Sequence, residues 1–331
     1  MIAEDDVESR VADMDAAFPE DFYATTNFPT EVRVGGRWTP VARPEMDVAI
    51  RLRTDATGTH AESCPMHRVR KGDVIVVGDR GVRVVMPPRS AAQGDAFRFM
   101  ASGVSTERPK ARLIADVALA MREARTNGKR ILFVGGPAIV HSGSAPLLER
   151  LIASGWIDVL FAGNALATHD IESAIYGTSL GQDLNTGQAV PHGHQHHLRA
   201  VNRIRRIGSI AEAVRQGVVT RGIMHACTVK PIPYVLAGSI RDDGPLPEVV
   251  TDVVLAVDTM REAATDVGVA IVVATMLHGV ATGNILPASV ATFAVDTSAD
   301  TVIKLVDRGT HQAVGIVTDC EYFLSELGRA L

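Results

Sequence analysis

The chain is poor in cysteine, in aromatic residues and in long apolar runs, and it carries no excess of positive charge. Its three cysteines, Cys64, Cys227 and Cys320, are scattered and offer no framework of pairs. This excludes a disulfide-stapled secreted scaffold and leads us to expect a reduced, cytoplasmic protein. Aromatics make up only 5% of the 331 residues. The core must therefore be built from Val, Ala, Leu and Ile, a palette that suits buried parallel strands. The longest apolar runs, such as VGVAIVVATML, are too short to span a bilayer. The first residues, MIAEDDVESR, are acidic and lack the apolar stretch of a secretory signal. With 33 basic against 38 acidic side chains the net charge is −5, and no segment combines basic clustering with aromatics. We expect neither nucleic acid nor membrane as a partner.

What remains is 46% apolar and 21% charged, the balance of a soluble globular protein whose length suits two domains. We expect a boundary near 105. Residues 1–105 read as β-structure, a small β-barrel or sandwich. EVRVGGRWTPV is two short alternating runs joined by Gly35-Gly36, a hairpin signal, and MDVAIRLRT alternates again. HRVRKGDVIVVGDRGVRVV places turns at Lys71-Gly72-Asp73 and Gly78-Asp79 between β-rich runs. Residues 106–331 change to strand–helix alternation. Helical spacing in KARLIADVALAMREART is stopped by Asn127-Gly128. RILFVGG, IDVLFAGN, PYVLAGS, VAIVVAT, VATFAVD and HQAVGIVTD read as six strands. Between them, GSIAEAVRQG carries a capping pattern at Ser209 and Glu212 with Gly217 at its end. PLPEVVTDVVLAVDTMREAA reads as one long helix with proline in its first turn. The expected fold is α/β: an N-terminal β domain followed by a doubly wound, mostly parallel, Rossmann-like domain.

That fold binds ligands outside the carboxyl ends of its strands, so the loops there are the place to look. The glycine fingerprint of dinucleotide folds is missing, since TMLHGVATG has only Gly279 and Gly283. Asp296, however, closes the strand VATFAVD about 20 positions after that loop, where an acidic residue holds ribose hydroxyls and repels a 2′-phosphate. The same residue would equally serve as a cap for the helix that begins in TSADT.

GPAIVHSG, VLFAGNALATHDIESAIYGTSLG, HGHQHHLRAVNRIRRIGSIAEAV, YVLAGSIRDDGPLPEVVTDV, ATMLHG and DRGTHQAVGIVTD, with DFYATTNFPTEVRVGGRW and KGDVIVVGDRGVRV upstream, together resemble one family. It is the archaeal-type ornithine cyclodeaminase family, long labelled a lysine-oxoglutarate reductase/saccharopine dehydrogenase-related domain and related to the C-terminal module of cyanobacterial arginine dihydrolase proteins. The resemblance runs from about residue 18 to the end. It implies NAD as a recycled cofactor, an amino-acid substrate and a β domain that covers the active site; apart from the resemblance, a homodimer or larger assembly is expected. It implies cofactor contacts at Asn164 and Ala165; at Gly238, Ser239, Ile240 and Asp242; at Thr275, Met276, Leu277 and His278; and at Asp296. It assigns no acid or base.

Conversion of ornithine to proline and ammonia requires proton transfer, an anchored amine and an anchored carboxylate. Imidazole titrates near neutrality, which makes His192 and His194 candidates for proton transfer. Asp242 and Asp243 are candidates to hold an amine, Arg89 in PPRS to clamp a carboxylate, and Asn27 in the polar loop YATTNFPT to bind substrate. The histidine run HGHQHH matches no zinc motif and has no cysteine nearby, so no metal site is expected. Leu198, Val201, Ile204 and Ile207 form a helical stripe that starts a helix near His196, with His197 in its first turn; the family resemblance, in which asparagine is common at this position, implies a surface or capping role for His196. The alternatives are a lysine cyclodeaminase, another NAD-dependent amino-acid or imine oxidoreductase, or a non-catalytic NAD-binding protein.

Overall fold

The computed structural model describes residues 6–85, 109–183, 186–242, 244–309 and 313–331. They form two compact units, one from residues 6–85 with Gly283–Ser289, the other from residues 109–282 with Val290–Leu331.

The first unit is a single curled sheet of seven strands. They are β1 (Glu8–Val11), β2 (Thr30–Val34), β3 (Arg37–Ala42), β4 (Ala49–Asp55), β5 (Gly58–Cys64), β6 (Val74–Val77) and β7 (Val82–Val84), in the order β1-β6-β4-β5-β3-β2-β7. All pairs are antiparallel except β3 with β5. Gly35 and Gly36 take φ of 58° and 76°, the two positive values a tight two-residue hairpin between β2 and β3 demands. Successive residues of a strand point to opposite faces. Ala49 and Ile75 accordingly pack with Ala12, Cys64 and Val69, while their neighbours Ile50 and Val76 pack with Val32, Val41 and Ala61. Both faces of the sheet are thus covered. Arg51, next to Ile50, is buried but bonded to Glu62 and Asp73, each at 2.8 Å, so its charge is compensated. The returning segment is tied in by two backbone bonds, Met46 N to Asn284 O and Ala288 N to Asn27 O.

The second unit is built on β8 (Arg130–Gly135), β9 (Val159–Gly163), β12 (Tyr234–Ala237), β13 (Val249–Val250), β14 (Val267–Val273), β15 (Ala291–Asp296) and β16 (Ala313–Val317). A small hairpin, β10 (Thr178–Ser179) with β11 (Gln182–Asp183), lies outside this sheet. The sheet order is β13-β12-β9-β8-β14-β15-β16, parallel throughout. The chain winds outward from β8 in one direction and from β14 in the other. The order reverses between them, and that reversal opens the crevice used by ligands in this architecture. The doubly wound expectation holds. Strands β8, β9 and β14 are Val/Ile/Leu/Phe-rich and almost wholly buried, as sheets covered on both faces require.

The long helix expected from PLPEVVTDVVLAVDTMREAA is shorter. Val249–Val250 pairs with β12 as a seventh strand, and the helix starts only at Val253, behind Asp252, whose carboxylate accepts from Leu255 N at 2.9 Å. Two adjacent β-branched residues at an open sheet edge gain a ladder there, and the Asp252 cap then fixes the helix start. Ser209 caps helix Ile210–Arg215 by accepting from Glu212 N at 3.0 Å, but Glu212 turns its own carboxylate to Arg215 and Gln216 instead of back to Ser209. Ser209→Ala should therefore cost about 1 kcal/mol, read as a lowered midpoint in urea. All three cysteines are free and buried. Among the described residues no helix is long and apolar enough to cross a membrane.

Candidate active site

The carboxyl ends of β9, β12, β14 and β15 bring together most residues singled out from the sequence. Helix Asn164–Tyr176 follows β9 directly, with Gly163 in the N-cap position and no side chain capping its first turn. Its leading N–H groups have no side-chain acceptor among the described residues, the arrangement that receives an anion at a helix start. Asn164 is the hub. Its Oδ1 accepts from Leu246 N at 3.1 Å and from Thr168 Oγ1 at 3.2 Å, and its Nδ2 donates to Asp242 Oδ1 at 3.4 Å. The other oxygen of Asp242 accepts from Ser239 N at 2.8 Å. Both oxygens of Asp242 thus hold the loop after β12 against the start of the helix after β9. Asp242 is a clasp between these two loops in this structure.

His278 faces the same rim. A Cβ on Gly163 would lie 2.8 Å from His278 Cε1, so the ring packs over the end of β9 only because residue 163 has no side chain. His278 Nε2 lies 3.2 Å from the carbonyl of Ala237 and can only donate there, which leaves Nδ1 as the acceptor, 3.5 Å from Thr275 Oγ1. Burial holds His278 below the ordinary histidine value, against the opposing pull of the Ala237 carbonyl and Asp242. It is a neutral imidazole at neutral pH.

Apolar surface lies open at the same strand ends. Ile240 is fully exposed, and Met276 and Leu277 are 45% and 69% exposed. Gly238 and Ser239 are half-buried, and Ala165 is exposed. Asp296 ends β15, and its Oδ1 accepts from Ser298 N at 2.8 Å in a tight turn. The first-turn donor of helix Ala299–Gly309 goes to Ser298 instead, whose Oγ accepts from Thr301 N at 3.3 Å. The cap that sequence left open for Asp296 is therefore supplied by Ser298.

Of the other sequence candidates, His192 and His194 belong to the second unit, Asn27 to the first, and Asp243 and Arg89 lie outside the described residues. His192, at φ 60°, and His194 are exposed in the short turn before helix His196–Ile207, and their side chains make no hydrogen bond or ring contact among the described residues. Asn27 is 2% exposed. Among the described residues no group of three or more His, Cys, Asp or Glu side chains is set to hold a metal ion.

One buried cluster escaped the sequence reading. His141, His169, Glu172, Thr178, Ser179 and His196 form a connected network in the second unit. His196 bonds Thr178 Oγ1 at 2.8 Å and stacks on Tyr176. It is a network member, beyond the surface or capping role expected of it. His169 and Glu172 stand at i and i+3 on helix Asn164–Tyr176, a spacing that brings side chains together on one face.

Comparison with known proteins gives the family. The family described as arginine dihydrolase ArgZ-like, C-terminal, Rossmann fold matches residues 115–327, and its companion, the first region of the same C-terminal part, matches residues 29–114. The ornithine cyclodeaminase of Methanothermobacter thermautotrophicus is 51% identical over 319 residues, 96% of this chain and 77% of the relative. The chain belongs to the archaeal ornithine cyclodeaminase family. A solved structure, the conserved putative LOR/SDH protein of Methanococcus maripaludis, superposes with a TM-score of 0.92 at 46% identity, covering 99% of this chain and 98% of that one. The ternary complex of AgrE with ornithine and NAD+ matches at a TM-score of 0.65 and 38% identity over 99% of this chain and 46% of AgrE. The resemblance read from the sequence blocks is thereby borne out.

Proposed function

We propose that this member of the ornithine cyclodeaminase family converts L-ornithine to L-proline and ammonia, using NAD that is regenerated in each turnover. The observation that carries the reading is the rim at the carboxyl ends of β9, β12, β14 and β15. There an uncapped helix start, a half-buried carboxylate and a band of exposed apolar side chains stand at neighbouring strand ends, in a chain that matches an ornithine- and NAD-bound relative almost end to end. These residues fit a dinucleotide. The N–H groups at Asn164 and Ala165 suit the pyrophosphate, and the loop Gly238-Ser239-Ile240, held by Asp242, lets its backbone approach. Ile240, Thr275, Met276 and Leu277 offer surface to the rings. Asp296, whose second oxygen makes no hydrogen bond among the described residues, suits the ribose hydroxyls. NAD, when bound, supplies a hydride acceptor at the α-carbon and returns that hydride to the cyclised product. The chain's own task is to orient the α-carbon, remove protons from the amines and keep water away.

The test is incubation with ornithine and a small fraction of an equivalent of NAD. Proline and ammonia should form without NADH accumulating. Stoichiometric NADH would indicate a dehydrogenase, and tight NAD binding without turnover a binding protein. Running lysine and diaminobutyrate alongside reads the preferred chain length. Asp296→Ala should weaken NAD about tenfold or more, as the loss of charge-assisted bonds to the ribose predicts, with calorimetric titration as the measurement.

A further inference from the structure

We propose that His141, backed by His169 and Glu172, is the proton-transfer group of the cyclisation step. This inference rests on the ornithine cyclodeaminase reading.

Glu172 is fully buried, and its carboxylate is completely engaged. Oε2 lies 2.8 Å from His169 Nδ1, and Oε1 accepts from Thr178 Oγ1 at 3.0 Å and Gly181 N at 3.3 Å. Burial alone would raise its carboxyl, but the bonds from His169, Thr178 and Gly181 outweigh burial and hold it below the usual carboxylate value. An ionised Glu172 can only accept, so His169 carries its proton on Nδ1 and presents Nε2 as a base. The His169 ring meets His141 edge-on, with centroids 4.6 Å apart. His141 is only half-buried. Its Nδ1 bonds Ser179 Oγ at 2.7 Å, and its Nε2 has no hydrogen-bond partner among the described residues. The series runs from a sealed carboxylate through a nearly sealed imidazole to an open one.

Placement ties the series to the site. His141 ends the helix Ala138–His141, which follows β8 at the point where the sheet order reverses. His169 and Glu172 lie on the helix whose first residue is Asn164. A network serving only to pin the β10–β11 hairpin would do so at lower cost with apolar side chains, since buried ionisable groups are expensive to desolvate. Burial and the neighbouring His169 also hold His141 below the ordinary histidine value, against the pull of Glu172. It is neutral and able to take a proton at neutral pH. Among the described residues, the network is also faced by His197, 6.0 Å from the His169 ring, and by His196 with its stacking partner Tyr176. The exposed His192 and His194 have no such side-chain partners among the described residues to fix a tautomer.

The step balances as follows. Oxidation of the α-carbon by NAD leaves the α-nitrogen as an iminium. His141 takes one proton from the δ-ammonium. The freed amine pair forms a bond to the α-carbon, and the C=N pair returns to the α-nitrogen. The surplus proton on the ring nitrogen passes to the α-nitrogen, whose bond to carbon breaks with its electron pair. Ammonia leaves, collects the proton held by His141, and the ring is left as a cyclic iminium.

The cyclic imine offered directly with NADH bypasses this step, which makes it the control. His141→Gln should lower the turnover of ornithine about 10²-fold or more, yet reduce the cyclic imine to proline within about threefold of the wild-type rate. Glu172→Gln, a positioning variant, should lower ornithine turnover about tenfold and shift the acid limb of its pH profile while leaving imine reduction intact. Equal loss of both half-reactions in His141→Gln, or full ornithine turnover, overturns the proposal. If His141→Gln fails to fold, an unshifted pH profile in Glu172→Gln overturns it. A wild-type protein that makes no proline from ornithine refutes the underlying reading instead, and the proposal falls with it.

Discussion

Replacing Asp170 with alanine is expected to destabilise the second unit by about 3 kcal/mol or more. The carboxylate is 1% exposed and accepts from Ile223 N and Met224 N, both at 2.8 Å, so it holds the first turn of helix Ile223–Val229. Truncation leaves two buried N–H groups without an acceptor, each costing about 1–3 kcal/mol. The fit is tight on the other side as well. Gly222 sits at φ 100°, and a Cβ there would lie 2.7 Å from Asp170 Oδ1. Burial pushes the Asp170 carboxyl up to about 7, against the two backbone bonds from Met224 and Ile223. The unfolded chain gives up this proton near the ordinary value of 3.8, so between there and about 7 the folded protein holds more protons. Stability should fall as pH rises through that window. Asp170→Asn keeps one acceptor and removes the titration. It should cost less than alanine and flatten the slope, as urea unfolding at pH 5, 6, 7 and 8 would read. A wild-type stability that rises from pH 5 to 7, with the same slope in the asparagine variant, would refute the assignment.

The strands of the second unit were legible because β8, β9 and β14 are continuous apolar runs bounded by glycine or asparagine, and burial on both faces writes itself into such a run. Asp296 was legible for a related reason: spacing from the preceding loop places it at a strand end. What escaped was whatever depends on pairing across the chain. VV at 249–250 is helical by pattern but gains more from the free edge of β12. The run HGHQHH drew the eye, yet the network takes its key imidazoles from His141 and His169, which stand alone in sequence and meet only because β8 and β9 are neighbours. Asp242 read as a free carboxylate because nothing local reveals that Asn164, 78 residues earlier, donates to it.

That same bond carries the other large effect. Asn164→Asp should weaken NAD binding about 10- to 100-fold and lower stability by about 1–3 kcal/mol. The substitution keeps the side chain's shape and its acceptor for Leu246 N and Thr168 Oγ1, and replaces only the Nδ2 donor that meets Asp242 at 3.4 Å. Two carboxylates at that separation repel by about 5 kcal/mol at an effective dielectric of 20. Both residues are half-buried, so solvent reduces this to about 1–3 kcal/mol. The loop Gly238-Ser239-Ile240 is held by the other oxygen of Asp242, so repulsion at Asn164 moves the segment proposed to line the dinucleotide. The added charge at the helix start also opposes the pyrophosphate. Like charges raise each other's pKa, so lowering the pH from 8 to 5 should return one proton to the pair and recover much of the affinity. Calorimetric titration of NAD at both pH values measures this. Unchanged affinity at pH 8 would mean that the clasp does not shape the cofactor site.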